Sequence, residues 1–275
     1  MSLIKPFVRL ASSIFPKPFA DKAFDKLVNP QIHRLRPHEE EVLEEAEKND
    51  LAFRSFKIKT YTWNRGNEPV LLIHGWEGQA GNFADLIEHL VKSDFTVYAF
   101  DGPSHGFSST GETSLLEFKD LVAIMIEKTG AKKLVSHSFG GVATTAALFE
   151  NTDLEIEKYA LLTTPDRFTQ RLDQVSEQFG ISRKVKNELA ERMEKLTGVS
   201  VKDLNVSDWV KAVNVREARI WHDKDDRVIG AEQSRGVNAA WSNSSLVEVE
   251  GTGHFRILRT ESVLEEVTAF LATTS

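Results

Sequence analysis

Apolar positions along this chain fall into short runs that alternate with longer stretches of helical spacing. "PVLLIHG", "FTVYAFD", "KKLVSH" and "EKYALLTT" are brief apolar runs bounded by polar or glycine residues, and they predict buried strands. Between them "FADLIEHLVK", "SLLEFKDLVAIMIEK" and the alanine-rich stretch after Ser138 carry helical spacing. The second of these helices is opened by a Ser114/Glu117 capping box. Strand followed by helix, repeated over short connections, predicts a parallel sheet with right-handed crossovers and helices on both faces.

The pattern differs at two places. Before the first apolar run, "HEEEVLEEAEKND" predicts a solvated helix ending near Asn49, and "AFRSFKIKTYTW" alternates like an exposed edge strand. After Pro165 the spacing is helical only. Phe168, Leu172, Val175 and Phe179 make one stripe; Val185, Leu189, Met193 and Leu196 make a second, closed by Gly198. "EARIWHD" and "SLVEVE" then restore strands, and Val263, Leu264, Val267, Phe270 and Leu271 line a last helix. The expected organisation is an N-terminal helical arm over 1–50, an α/β core over 51–164 and 214–275, and a helical cap over 165–213.

Composition narrows the classes. A chain of 275 residues with 41% hydrophobic and 27% charged residues suits one soluble α/β domain with a substantial core. A formal charge of −7 with no basic stripe argues against a nucleic-acid partner. The absence of cysteine removes disulfides, thiolate metal ligands and a cysteine nucleophile, and fits a cytoplasmic protein. The N-terminal "MSLIKPFVRLASSIFPKPFADKAF" is broken by Lys5, Arg9 and three prolines, so it has no signal-peptide core. The expected role is an arm packed on the body. The less favoured reading is a membrane-surface segment, with Leu3, Ile4, Phe7, Val8, Leu10 and Ile14 sharing an apolar face beside Lys5 and Arg9. Oligomeric state is left open.

Ligands of a parallel sheet bind beyond the carboxyl ends of its strands. Ser138 follows one strand in "SHSFGG", where a tight strand-to-helix turn lifts a side chain clear of the sheet and needs small neighbours. Ser136 and Gly140 supply them, in the form S-x-S-x-G rather than G-x-S-x-G. A second strand ends in "WHDKDDRVIG", offering Asp223, Asp225 and Asp226 as acids. A third is followed by "VEGTGHFRI", with His254 in a glycine-bearing loop. The order Ser, Asp, His, each just after a strand, suits a nucleophile, an acid that orients the base, and the base itself. In "LLIHGWEG", Gly75 lets the backbone bend so that the Trp76 N–H, with that of Phe139, forms an oxyanion hole. Nucleotide binding is disfavoured, since "GWEGQAG" has the wrong glycine spacing and no phosphate-binding P-loop occurs.

From about Phe53 onward the chain resembles bacterial α/β-hydrolase-fold proteins of the serine carboxylesterase/lipase-like type. "HGWEG", "FDGPSHGFS", "SHSFGG", "HDKDDRV" and "GTGH" carry the likeness. The resemblance implies Ser138 as nucleophile, Asp226 as triad acid in preference to Asp225, and His254 as base. It makes Asp101, His105 and His74 structural residues of the surrounding loops. It implies hydrolysis of a small-molecule ester through an acyl-enzyme, with no metal or organic cofactor. The cap's apolar residues, including Phe168, Phe179, Met193 and Trp209, would border the acyl or alcohol pocket, which suggests a fairly apolar substrate. Thioesterase, amidase or peptidase and acyltransferase chemistry share the same serine, and a non-catalytic ligand-binding protein is the alternative of a different class.

Overall fold

The computed structural model describes residues 4–64 and 66–273. Within them eight strands form one sheet: β1 (Glu47–Phe53), β2 (Phe56–Asn64), β3 (Glu68–Ile73), β4 (Phe95–Phe100), β5 (Lys133–His137), β6 (Ile156–Leu162), β7 (Val215–Asp223) and β8 (Ser244–Val249). Their order is β1-β2-β4-β3-β5-β6-β7-β8. From β4 to β8 every pairing is parallel, whereas β1 and β2 join as an antiparallel ribbon on the β4 edge. The chain runs outward from β3 in both directions, so β3 and β5 flank a topological switch point, where open α/β sheets leave a crevice at the strand ends.

The central strands are apolar on both faces because helices cover both. Val70, Leu71, Leu72 and Ile73 of β3 are all buried, as are Leu134 and Val135 of β5. The helix Leu115–Thr129 starts where the capping box predicts: the Ser114 Oγ accepts from the Leu116 N–H and pairs with Glu117, and Gly130 ends the helix in the left-handed conformation. The last helix, Glu261–Ala272, buries the five apolar residues expected of it.

Two sequence expectations change. The acidic helix is shorter, Pro37–Glu44, and β1 begins at Glu47, before the expected end near Asn49. "AFRSFKIKTYTW" is not one strand but the two arms of a hairpin turning at Arg54, whose φ is 51°.

The described chain divides into two compact units. The larger, residues 31–166 and 206–275, holds the sheet and its core. The smaller, residues 1–30 and 167–205, contains the helices Lys5–Ile14, Pro16–Val28, Phe168–Phe179 and Arg183–Thr197. It has a small core of its own around Ala20, Leu172, Val185 and Leu189, against which Phe168 and Phe24 pack. Among the described residues no helix is long and apolar enough to cross a membrane.

Candidate active site

Ser138 sits between β5 and the helix Phe139–Glu150 with φ 52° and ψ −122°, a strained conformation for a residue with a Cβ. The turn is held on both sides. The Ser138 N–H donates to the Leu162 carbonyl at 2.9 Å, and its carbonyl accepts from Gly141 at 2.8 Å. Gly140 is required by packing, since a Cβ there would stand 2.5 Å from the Ile73 oxygen and 2.6 Å from that of His74. Ser136, which replaces the usual first glycine, is fully buried, and its hydroxyl pairs with that of Tyr159 at 2.8 Å. The hydroxyl thereby finds a partner that a buried polar group needs.

The loops after β7 and β8 bring the other two side chains to this turn. The His254 Nε2 lies 3.1 Å from the Ser138 Oγ, and its Nδ1 lies 2.7 Å from the Asp226 Oδ2. Burial pushes the Asp226 carboxyl up. Hydrogen bonds from His222, His254 and the Ile229 N–H outweigh it and hold the group well below the usual carboxylate range. An ionised carboxylate only accepts, so the Nδ1 of His254 carries the proton and its Nε2 is left to accept from the Ser138 hydroxyl. The other Asp226 oxygen accepts from the N–H groups of Val228 at 2.7 Å and Ile229 at 3.0 Å.

The three aspartates after β7 separate cleanly. Asp225 is exposed. Asp223 binds the two loops together, one oxygen accepting from the Asp225 N–H at 2.8 Å and the other from Gly253 at 2.8 Å and from Thr252. Only Asp226 reaches His254 among the three.

Residues that sequence reasoning left without a role support this chain. His137, directly before Ser138, donates from Nε2 to the His254 carbonyl at 2.9 Å, and its ring stands 5.0 Å from that of His254. Burial, then the neighbouring His254, pushes the His137 imidazole down to about 3. His222 donates from Nε2 to the Ile229 carbonyl at 2.9 Å, and the same nitrogen is 3.5 Å from the Asp226 Oδ2. Phe255 is 64% exposed with its ring edge-on to His254 at 4.9 Å. In the sequence the only signals of these roles are that His137 and Phe255 adjoin Ser138 and His254 and that His222 stands four residues before Asp226.

On the other side of the switch point, the loop after β3 is fixed by buried neutral rings. The His74 Nδ1 donates to the Gly75 carbonyl at 2.7 Å while its Nε2 accepts from the Gly102 N–H at 2.8 Å. Burial drives His74 well below the ordinary histidine value and brings His105 to about 4. The His105 Nε2 accepts from the Glu77 N–H at 3.2 Å. Asp101 accepts from Tyr61 and from the N–H groups of Ala80 and Phe107, and burial raises its carboxyl despite those bonds. Trp76 and Phe139 are partly buried and meet edge-on at 5.1 Å. Phe139 is the first residue of its helix, so its N–H lies in the turn where no intrahelical acceptor exists. No group of three or more His, Asp or Glu side chains among the described residues could hold a metal ion.

Residues 68–180 match the family model described as the alpha/beta hydrolase fold. A pimeloyl-[acyl-carrier protein] methyl ester esterase of Xanthomonas campestris is 32% identical over 109 residues, which are 39% of this chain and 42% of that protein. A human serine hydrolase-like protein is 36% identical over 106 residues, 35% of this chain and 50% of that protein. The chain thus spans half or less of the length of these curated relatives. Among solved structures, an esterase of Pyrococcus furiosus superposes with a TM-score of 0.65 at 18% identity, over 90% of this chain and 97% of that one.

Proposed function

This chain has the α/β-hydrolase fold, and on that premise we propose that it is a serine hydrolase of small carboxylic esters, acting through an acyl-enzyme. The observation that carries the reading is the hydrogen-bonded series from Ser138 through His254 to Asp226 at 3.1 and 2.7 Å. The relatives named as esterases favour an ester as the bond cleaved.

In this reading the Ser138 hydroxyl attacks the ester carbonyl as His254 Nε2 takes its proton. Asp226 holds the imidazole in the required tautomer and stabilises the imidazolium. The negative oxygen of the tetrahedral intermediate is received by the Trp76 and Phe139 N–H groups. His254 then protonates the departing alkoxide, leaving an ester bond between Ser138 and the acyl group. Water, deprotonated by His254, attacks that ester, and collapse of the second intermediate releases the acid and returns the proton to Ser138. No step calls for a cofactor. The Phe255 ring edge-on to His254, and the Trp76 and Phe139 rings that meet in the neighbouring turns, support a fairly apolar acyl or alcohol group.

Turnover of a p-nitrophenyl ester series by the intact chain tests the proposal. Ser138→Ala should lower kcat by about 10³ or more while the folded signal is unchanged. A variant that keeps its rate would remove Ser138 as nucleophile.

A further inference from the structure

Helices at a protein surface ordinarily turn their apolar side inward. The helix Lys5–Ile14 does the reverse. Its polar side is held to the smaller unit: Ser12 is fully buried, with its hydroxyl accepting from the Ser182 N–H at 3.0 Å, and Lys184 donates to the Ser13 carbonyl at 3.1 Å. Gly180, at φ 69°, allows the approach, since a Cβ there would stand 2.6 Å from the Lys5 carbonyl oxygen. The apolar side faces outward. Phe7, Leu10 and Ile14 are 75%, 63% and 59% exposed, with Ile4 and Phe15 exposed at the two ends. Ile4, Phe7, Leu10 and Ile14 fall within one face of the helix, a stripe about 15 Å long.

Charge follows the same division. The segments 1–30 and 167–205 carry thirteen Lys and Arg against eight Asp and Glu, a formal +5, although the whole chain is −7 and the remainder therefore −12. Among the described residues, Lys5, Arg9, Lys17, Lys22 and Lys26 have no ion-pair partner, and eight of the eleven exposed large apolar side chains belong to this unit. Apolar side chains beside unpaired cations match the boundary between acyl chains and acidic headgroups. A second copy of the chain fits less well, because a symmetric contact through this face would set one cationic surface against another.

We propose that the outward face of the helix Lys5–Ile14 is a docking surface for a bilayer carrying anionic headgroups. The proposal does not depend on the esterase reading, and its readout is binding. Flotation of the full chain is measured with vesicles of phosphatidylcholine alone and of equimolar phosphatidylcholine and phosphatidylglycerol. The chain should float with the anionic vesicles, at least about tenfold more than with the neutral ones, and be released by high salt. The double variant Phe7→Ser/Leu10→Ser should lose at least about tenfold of that binding. Lys5→Glu/Arg9→Glu should lose it too while keeping the apolar stripe. Both variants should keep the parent's far-UV circular dichroism and urea midpoint, which shows that they fold. The proposal fails if the parent stays at the bottom of the gradient, or if it binds neutral and anionic vesicles alike. It also fails if the variants float as the parent does, or if the parent runs as a dimer that Phe7→Ser/Leu10→Ser converts to a monomer.

Discussion

Asp223, Asp225 and Asp226 lie within four positions, and burial and hydrogen bonding give them three different environments. Asp225 meets solvent, Asp223 ties the loops after β7 and β8 together, and Asp226 meets the imidazole of His254. Sequence alone could rank the three only through a family likeness, since their side chains are chemically identical and the deciding partners lie 28 to 30 residues away. His137 was less legible still, because its partner is a backbone carbonyl 117 residues distant. Asparagine substitutions separate the roles. Asp226→Asn keeps the shape but loses the charge, and should lower kcat by on the order of 10³ to 10⁴. Asp225→Asn should stay within about twofold of the parent. Steady-state kinetics on one soluble ester would measure both, and comparable losses would contradict the assignment.

At the scale of elements, the strand-to-helix turn joins β5 to the helix Phe139–Glu150 around a strained Ser138. Gly140→Ala would push a Cβ against two backbone carbonyl oxygens that cannot move independently of β3. Overpacking of this kind costs about 1–3 kcal/mol, so the urea midpoint should fall, and ester turnover with it as Ser138 shifts. A midpoint equal to the parent's would show that the turn is looser than its packing indicates. The parallel strands were legible because burial on both faces makes them continuous apolar runs. The β1–β2 ribbon was not. As the outer strand of the sheet, β1 exposes most of "EKNDLAF", so its polar residues resemble the acidic helix before it. Its hairpin turns at Arg54-Ser55, without the Asn-Gly or Asp-Gly signal that marks such turns. The buried strands were accordingly legible, and the edge was not.

For the whole molecule, the same buried rings that shape the site set an acid limit. His74, His105 and His137 are kept neutral by burial, His105 down to about 4 and His137 to about 3. In the unfolded chain each regains a value of about 6.5. Below that pH the unfolded chain binds more protons than the folded one, so stability falls on acidification. The slope is up to about 1.4 kcal/mol per pH unit for each ring until its folded value is reached. Urea midpoints should therefore decline between about pH 6.5 and 5, above the carboxylate range, and His105→Gln should make the decline shallower; a flat profile would contradict neutral burial of the rings. In the proposed mechanism Ser138, His254 and Asp226 act as one, and covalent labelling reads this directly. Incubated with a fluorophosphonate, the intact chain should take up one label, located on Ser138 by mass spectrometry of its peptides, at a rate that falls by orders of magnitude in His254→Ala. A folded chain that stays unlabelled, carries the label elsewhere, or reacts equally fast without His254 would contradict it.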